Sequence, residues 1–192
     1  MTRFPAIRTA CRCGPPRLAK GMRMASRLLS VATALCLAAG TAAADLAAEH
    51  DPARIARFAV GIFCMDDVGS LPSDAPGTIK GTVERLDRLP VLAVETATVP
   101  AIERIMFGVQ AREAIENGIV NITVNHPPLG PDGVTAEGWE TQMETGKDTV
   151  HTYYLGLSDG DPVGRWSIVA MAGDDLLFWA EFDVVPAGAA GE

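Results

Sequence analysis

The chain has 192 residues, 48% of them hydrophobic, with 24 Asp and Glu against 16 Lys and Arg. Seven of those cations precede position 45 and every acid lies at or beyond it, so the remainder carries nine cations against 24 anions, a net charge of −15. That balance excludes a nucleic-acid surface, which needs cations for phosphate, and a polybasic contact with anionic membranes.

In chain order, "MTRFPAIRTACRCGPPRLAKG" (1–21) reads as an upstream extension, with translation expected to begin at Met22 or Met24 instead of Met1. Its Cys11 and Cys13 are two thiols where a structural zinc site needs four ligands. "MRMASRLLSVATALCLAAGTAAA" (22–44) follows, with Arg23 and Arg27 before the apolar run 28–39. A largely apolar run of twelve residues falls short of the roughly 18 to 20 that cross a bilayer, and Ala42 and Ala44 suit signal-peptide cleavage. The expectation is export, a mature start near Asp45, a periplasmic or secreted protein and no stable membrane insertion. Leu35 before Cys36 argues against lipidation, since a small residue is required there. Of the four cysteines only Cys64 lies beyond the leader, which excludes a disulfide within the mature chain.

Residues 45–56 form a polar, alanine-rich lead-in, expected as a short helix or loose arm. A single domain is expected over 57–186, then a tail over 187–192. β-branched residues in partial alternation mark strands at 57–63, 78–86, 91–99, 104–112, 118–126 and 149–157, with a closing hairpin over 164–185. "GSLPSDAPG", "HPPLGPDG" and "SDGDPVG" supply turn chemistry between them. "QAREAIENG" offers a short helix as a minor alternative. Seven to nine short strands predict an all-β fold, an antiparallel immunoglobulin-like β-sandwich, with a small β-barrel as the alternative.

The segments "VGIFC" (60–64), "APGT" (75–78), "TATVPAI" (96–102), "FGVQ" (107–110), "NHPP" (125–128) and "GRWSIVAMAGDDLLFWAEFDVV" (164–185) occur in a characteristic order. In that order the chain resembles DUF3859, an exported bacterial domain-of-unknown-function family, over about residues 57–185. The resemblance implies export and a single β-rich domain. It assigns no catalytic residue.

No constellation of reactive residues stands out. Cys64 ends an apolar strand with no local motif to activate it, so a buried core cysteine is expected. Asp159 and Asp161 in "SDGDP", and Asp66 and Asp67 in "MDD", are oxygen donors too few for a calcium loop; a calcium-stabilised module stays a minor reading. His50, His126 and His151 lack metal-ligand spacing, and neither a metal nor a cofactor is expected. There is no phosphate-cradling glycine loop and no nucleophile elbow. The stretch "HPPLGPDG" is the candidate binding loop, through His126, Pro127 and Pro128, although prolines that merely shape a long turn are the simpler account.

In the closing hairpin, Trp166, Ile168 and Ala170 share a face, as do Phe178, Ala180, Phe182 and Val184; those are core faces. The turn is Ala172-Gly173-Asp174-Asp175. On the opposite face Val169, Met171, Leu177 and Trp179 are expected to form an apolar strip, giving way to Glu181 and Asp183. A solvated face carries no such strip, so it predicts a cover from the lead-in arm, a protein partner or a homodimer. The functional expectation is a non-catalytic binding or structural module of the bacterial envelope. An envelope hydrolase using dispersed carboxylates is the alternative.

Overall fold

The computed structural model describes residues 47–65 and 68–189. The expected leader, with Cys11, Cys13 and Cys36, and the "MDD" acids Asp66 and Asp67 lie outside the described residues.

The described residues form twelve strands: β1 (Ala48–His50), β2 (Ile55–Cys64), β3 (Ser70–Asp74), β4 (Thr82–Leu86), β5 (Val91–Glu95), β6 (Thr98–Ala101), β7 (Met106–Glu113), β8 (Ile119–Leu129), β9 (Val134–Gln142), β10 (Asp148–Tyr154), β11 (Gly164–Ala172) and β12 (Asp175–Pro186). One sheet has the order β1-β12-β11-β8-β9, with β6 also against β12. A second has the order β10-β7-β2-β5, and β3 and β4 make a separate two-stranded ribbon. The two large sheets are not closed into a barrel, so the fold is an antiparallel β-sandwich. Its exception is β6, which pairs with β12 in parallel.

Alternation builds the core. Val120, Ile122 and Val124 on β8 point inward with Ile168 and Ala170 on β11 and Phe178, Ala180 and Phe182 on β12. From the second sheet come Val60, Phe107, Val109 and Ala111. Phe107 packs edge-on against Trp166 and Phe182, with ring centroids 5.9 and 5.0 Å apart. Each such aromatic contributes roughly 1.5–3 kcal/mol by leaving water.

Residues 47–56 of the lead-in arm form strand and turn, not helix or a loose arm. β12 is the longest strand and would present a bare edge, and β1 covers the stretch around Trp179 while β6 covers Asp183 to Pro186. Covering an edge in this way removes a template for intermolecular pairing. The predicted run 91–99 is likewise two strands, β5 in one sheet and β6 in the other. The stretch 104–112 continues as β7 through Glu113, and no helix forms over "QAREAIENG". "HPPLGPDG" is not a long loop: His126 to Leu129 belong to β8, and only residues 130–133 turn. Pro127 and Pro128 have no N–H for the ladder, and the β8–β9 register breaks between Asn125 and Leu129.

Candidate functional site

The outer face of the larger sheet follows from its registers. Trp179 on β12 lies across from Val169 on β11, which lies across from Thr123 on β8. The next row sets Leu176 beside Met171 and Met171 beside Asn121. Ile119, two residues before Asn121, extends the same face. Trp179, Val169, Met171, Leu176 and Ile119 therefore make one diagonal apolar strip across three strands. Ile119 and Leu176 are 54% and 40% exposed, and the other three are half-buried.

Leu177, expected on this strip, is in the core with no exposed surface. The β11–β12 register shifts between Ala170 and Met171, and Leu177 is the extra residue of a β-bulge. A bulge resets the alternation, so Leu177 turns inward beside Phe178 and Leu176 takes the outward place. The hairpin closes through Gly173, whose φ of 60° is the glycine-first pattern of a tight two-residue turn.

Acids surround the strip. Glu49 on β1 is the cross-strand neighbour of Trp179, and Glu140 on β9 is that of Asn121. Glu181 sits beside Ser167, and Asp183 beside Arg165, with Arg165 Nε 3.6 Å from the Asp183 carboxylate. Asn125 Nδ2 donates to Ser167 Oγ at 3.0 Å, which satisfies the neutral row next to Glu181.

A second constellation lies between the sheets. His126, Glu137, Tyr153 and Trp166 all occupy inward positions of their strands, near Asp161 of the 155–163 connection. The Trp166 ring packs 5.0 Å from His126 and 4.8 Å from Tyr153. His126 Nδ1 donates to the Pro127 carbonyl at 2.9 Å, and its Nε2 faces Glu137 Oε2 at 3.6 Å. Glu137 Oε1 accepts the Ile79 N–H at 2.6 Å. The Asp161 carboxylate accepts the Gly156 N–H at 2.7 Å and the Tyr153 hydroxyl at 3.3 Å. Burial pushes the Asp161 carboxyl above its usual range, against the pull of those two hydrogen bonds. Burial, with Asp161 nearby, also raises the Tyr153 phenol.

Residues 75–81 strap this group down. Gly138 donates its N–H to the Gly77 carbonyl at 3.0 Å, and Lys80 Nζ donates to Asp159 at 2.8 Å. That hydrogen bond lowers the Asp159 carboxyl and raises the Lys80 ammonium. The His126 side chain has no exposure and that of Glu137 has 9%, and the strap meets the pair at the Ile79 N–H.

A family profile described as a domain of unknown function, DUF3859, matches residues 53–184. The chain belongs to the DUF3859 family. Among curated proteins none matches it. Among solved structures the chain is similar to an immunoglobulin-like protein from Pseudomonas aeruginosa. That protein is 19% identical, with 74% of this chain and 99% of that one covered and a TM-score of 0.47.

Within this DUF3859 domain the expected site residues separate. Val169, Met171 and Trp179 stay together on the outer face, and Leu177 leaves it. His126 turns into the sandwich, Pro127 is half-buried and Pro128 exposed, so the three form no common edge. Cys64 is buried at the end of β2. His50 stacks on Phe58 with centroids 4.9 Å apart. His151 is buried against Phe178, and burial lowers its pKa to about 4. Among the described residues no three His, Cys, Asp or Glu side chains are placed to hold a metal ion.

The residues that sequence reasoning missed are Ile119, Leu176, Glu49 and Glu140 outside, and Glu137 and Tyr153 inside; Asp161 it raised only as an oxygen donor for calcium. For Glu137 a signal existed: it alternates with Trp139 in "VTAEGWETQ", which places both on one face of a strand. For the others only strand pairing brings them together.

Proposed function

We propose that this protein is an exported, non-catalytic binding module of the bacterial envelope that docks a protein partner on the outer face of its larger sheet. The observation that carries the reading is the apolar strip of Trp179, Val169, Met171, Leu176 and Ile119 on a face that would otherwise be solvated. The apolar run ahead of Ala44 supports export. The test is recovery of partners from envelope extract on the full chain and on Trp179→Ala. Partners held by the first and lost by the second support the surface; identical recovery rejects it.

A second reading, a hydrolase, draws on His126, Glu137 and Asp161, which place a buried base and two acids near Tyr153. Hydrolysis of a glycoside or ester panel that is abolished by Glu137→Gln would favour it over docking, and no turnover by the full chain would end it.

A further inference from the structure

We infer that the partner of this outer face is a basic, amphipathic protein segment, with apolar side chains for the strip and Lys or Arg for its rim. The inference rests on the docking reading above and adds the partner's chemistry. Three neighbouring strands contribute to the strip, which is roughly 10 Å across at about 4.8 Å per strand. That width suits one segment laid along the sheet better than a broad domain face. Around it stand Glu49, Glu140, Glu181 and Asp183, and the cation in the same rows is Arg165, already paired with Asp183. Among the described residues three carboxylates thus have no cation paired with them beside an apolar surface, a potential that a cationic segment complements.

The same rim selects against other occupants. A second copy docked face to face about a two-fold axis brings two copies of the same acidic rim to one contact, and like charges facing each other across a contact are repulsive. An anionic lipid surface is repelled by the same carboxylates. A basic segment meets apolar surface at the centre and opposite charge at the edge.

The experiment uses the full chain and three labelled 15-residue peptides: alternating Lys and Leu, alternating Lys and Ser, and alternating Glu and Leu. Fluorescence anisotropy is followed in 50 and 300 mM NaCl. The Lys/Leu peptide is expected to bind at least tenfold more tightly than either of the others, and more weakly at the higher salt. The double variant Glu140→Lys/Glu181→Lys should weaken it at least tenfold and Met171→Ser about fivefold. Glu84→Lys, on the separate β3–β4 ribbon, should change it less than twofold. Circular dichroism confirms that each variant retains its sheet.

Equal loss with Glu84→Lys, or equal binding of the Lys/Ser peptide, means diffuse attraction to an acidic protein and overturns the inference. So does a dimer in sedimentation that Met171→Asp dissociates, since the occupant is then a second copy. Failure of the docking reading looks different: Trp179→Ala retains every envelope partner. If Trp179→Ala loses partners that the double charge reversal keeps, the surface stands and its basic occupant does not.

Discussion

Leu177 and Trp179 are two residues apart on β12, yet one has no exposed surface and the other is half-buried on the outer face. Their truncations should therefore differ. Leu177→Ala leaves a cavity beside Phe178 and is expected to cost about 2–5 kcal/mol in urea unfolding. Trp179→Ala removes a half-buried ring whose cross-strand neighbours are Val169 and Glu49, expected at about 1 kcal/mol. Equal costs would show that the bulge does not divide them. A second residue-scale prediction concerns His151. Its folded value of about 4 lies below the usual 6.5, so between those values the unfolded chain binds a proton that the native chain does not. The native state then loses stability as pH falls from 6.5 towards 4, by up to about 3 kcal/mol, and keeps it in full above 6.5. His151→Leu should flatten the urea midpoint against pH in that window relative to wild type. Parallel curves would place the acid sensitivity elsewhere.

Gly77 and Gly138 show why the strap over the interior polar group needs glycine. A Cβ on Gly77 would stand 2.5 Å from the Gly138 carbonyl, a backbone atom that cannot step aside. Gly77→Ala is therefore expected to detach residues 75–81 from β9, breaking the Ile79 N–H bond to Glu137. Hydrogen exchange at Ile79 should quicken at least tenfold while the β8 amides keep their protection; unchanged exchange would show that the strap adapts. The strap was not legible as such, because "APGT" reads as turn chemistry and says nothing of what the turn rests on. Strands rich in β-branched and apolar residues in partial alternation, such as β8 and β11, were legible. β3, "SLPSD", and β9, "VTAEGWETQ", were not, since proline, serine and acids dilute the alternation and their places depend on pairing. The outer strip was half-legible for the same reason. Val169, Met171 and Trp179 follow from alternation alone. Leu176 replaces Leu177 only through a bulge, and Ile119 joins only through the β8–β11 register.

At the scale of the molecule, charge sets the next expectation. Beyond Ala44 the chain holds 24 acids and nine cations, and several of those cations are already committed. Arg57 and Arg112 share Asp148, Arg54 pairs with Asp175, and Lys80 with Asp159. The water-exposed pairs among these stabilise little, Arg112 holds the half-buried Asp148 through two hydrogen bonds, and a surplus of carboxylates is left to repel one another in the compact state. The Debye length falls from about 30 Å at 0.01 M to 10 Å at 0.1 M, so salt screens that repulsion before it disturbs contact pairs at 3 Å. The thermal midpoint is therefore expected to rise by a few degrees from 10 to 200 mM NaCl at pH 7. Magnesium or calcium chloride at matched ionic strength should give the same rise, and a chelator should not reverse it. Screening acts on the whole field, whereas a bound divalent ion stabilises in proportion to its occupancy. A midpoint that climbs only with calcium and drops with chelator would instead place an ion among the acids, and a midpoint flat in salt would show that the carboxylates are too dispersed to strain the fold.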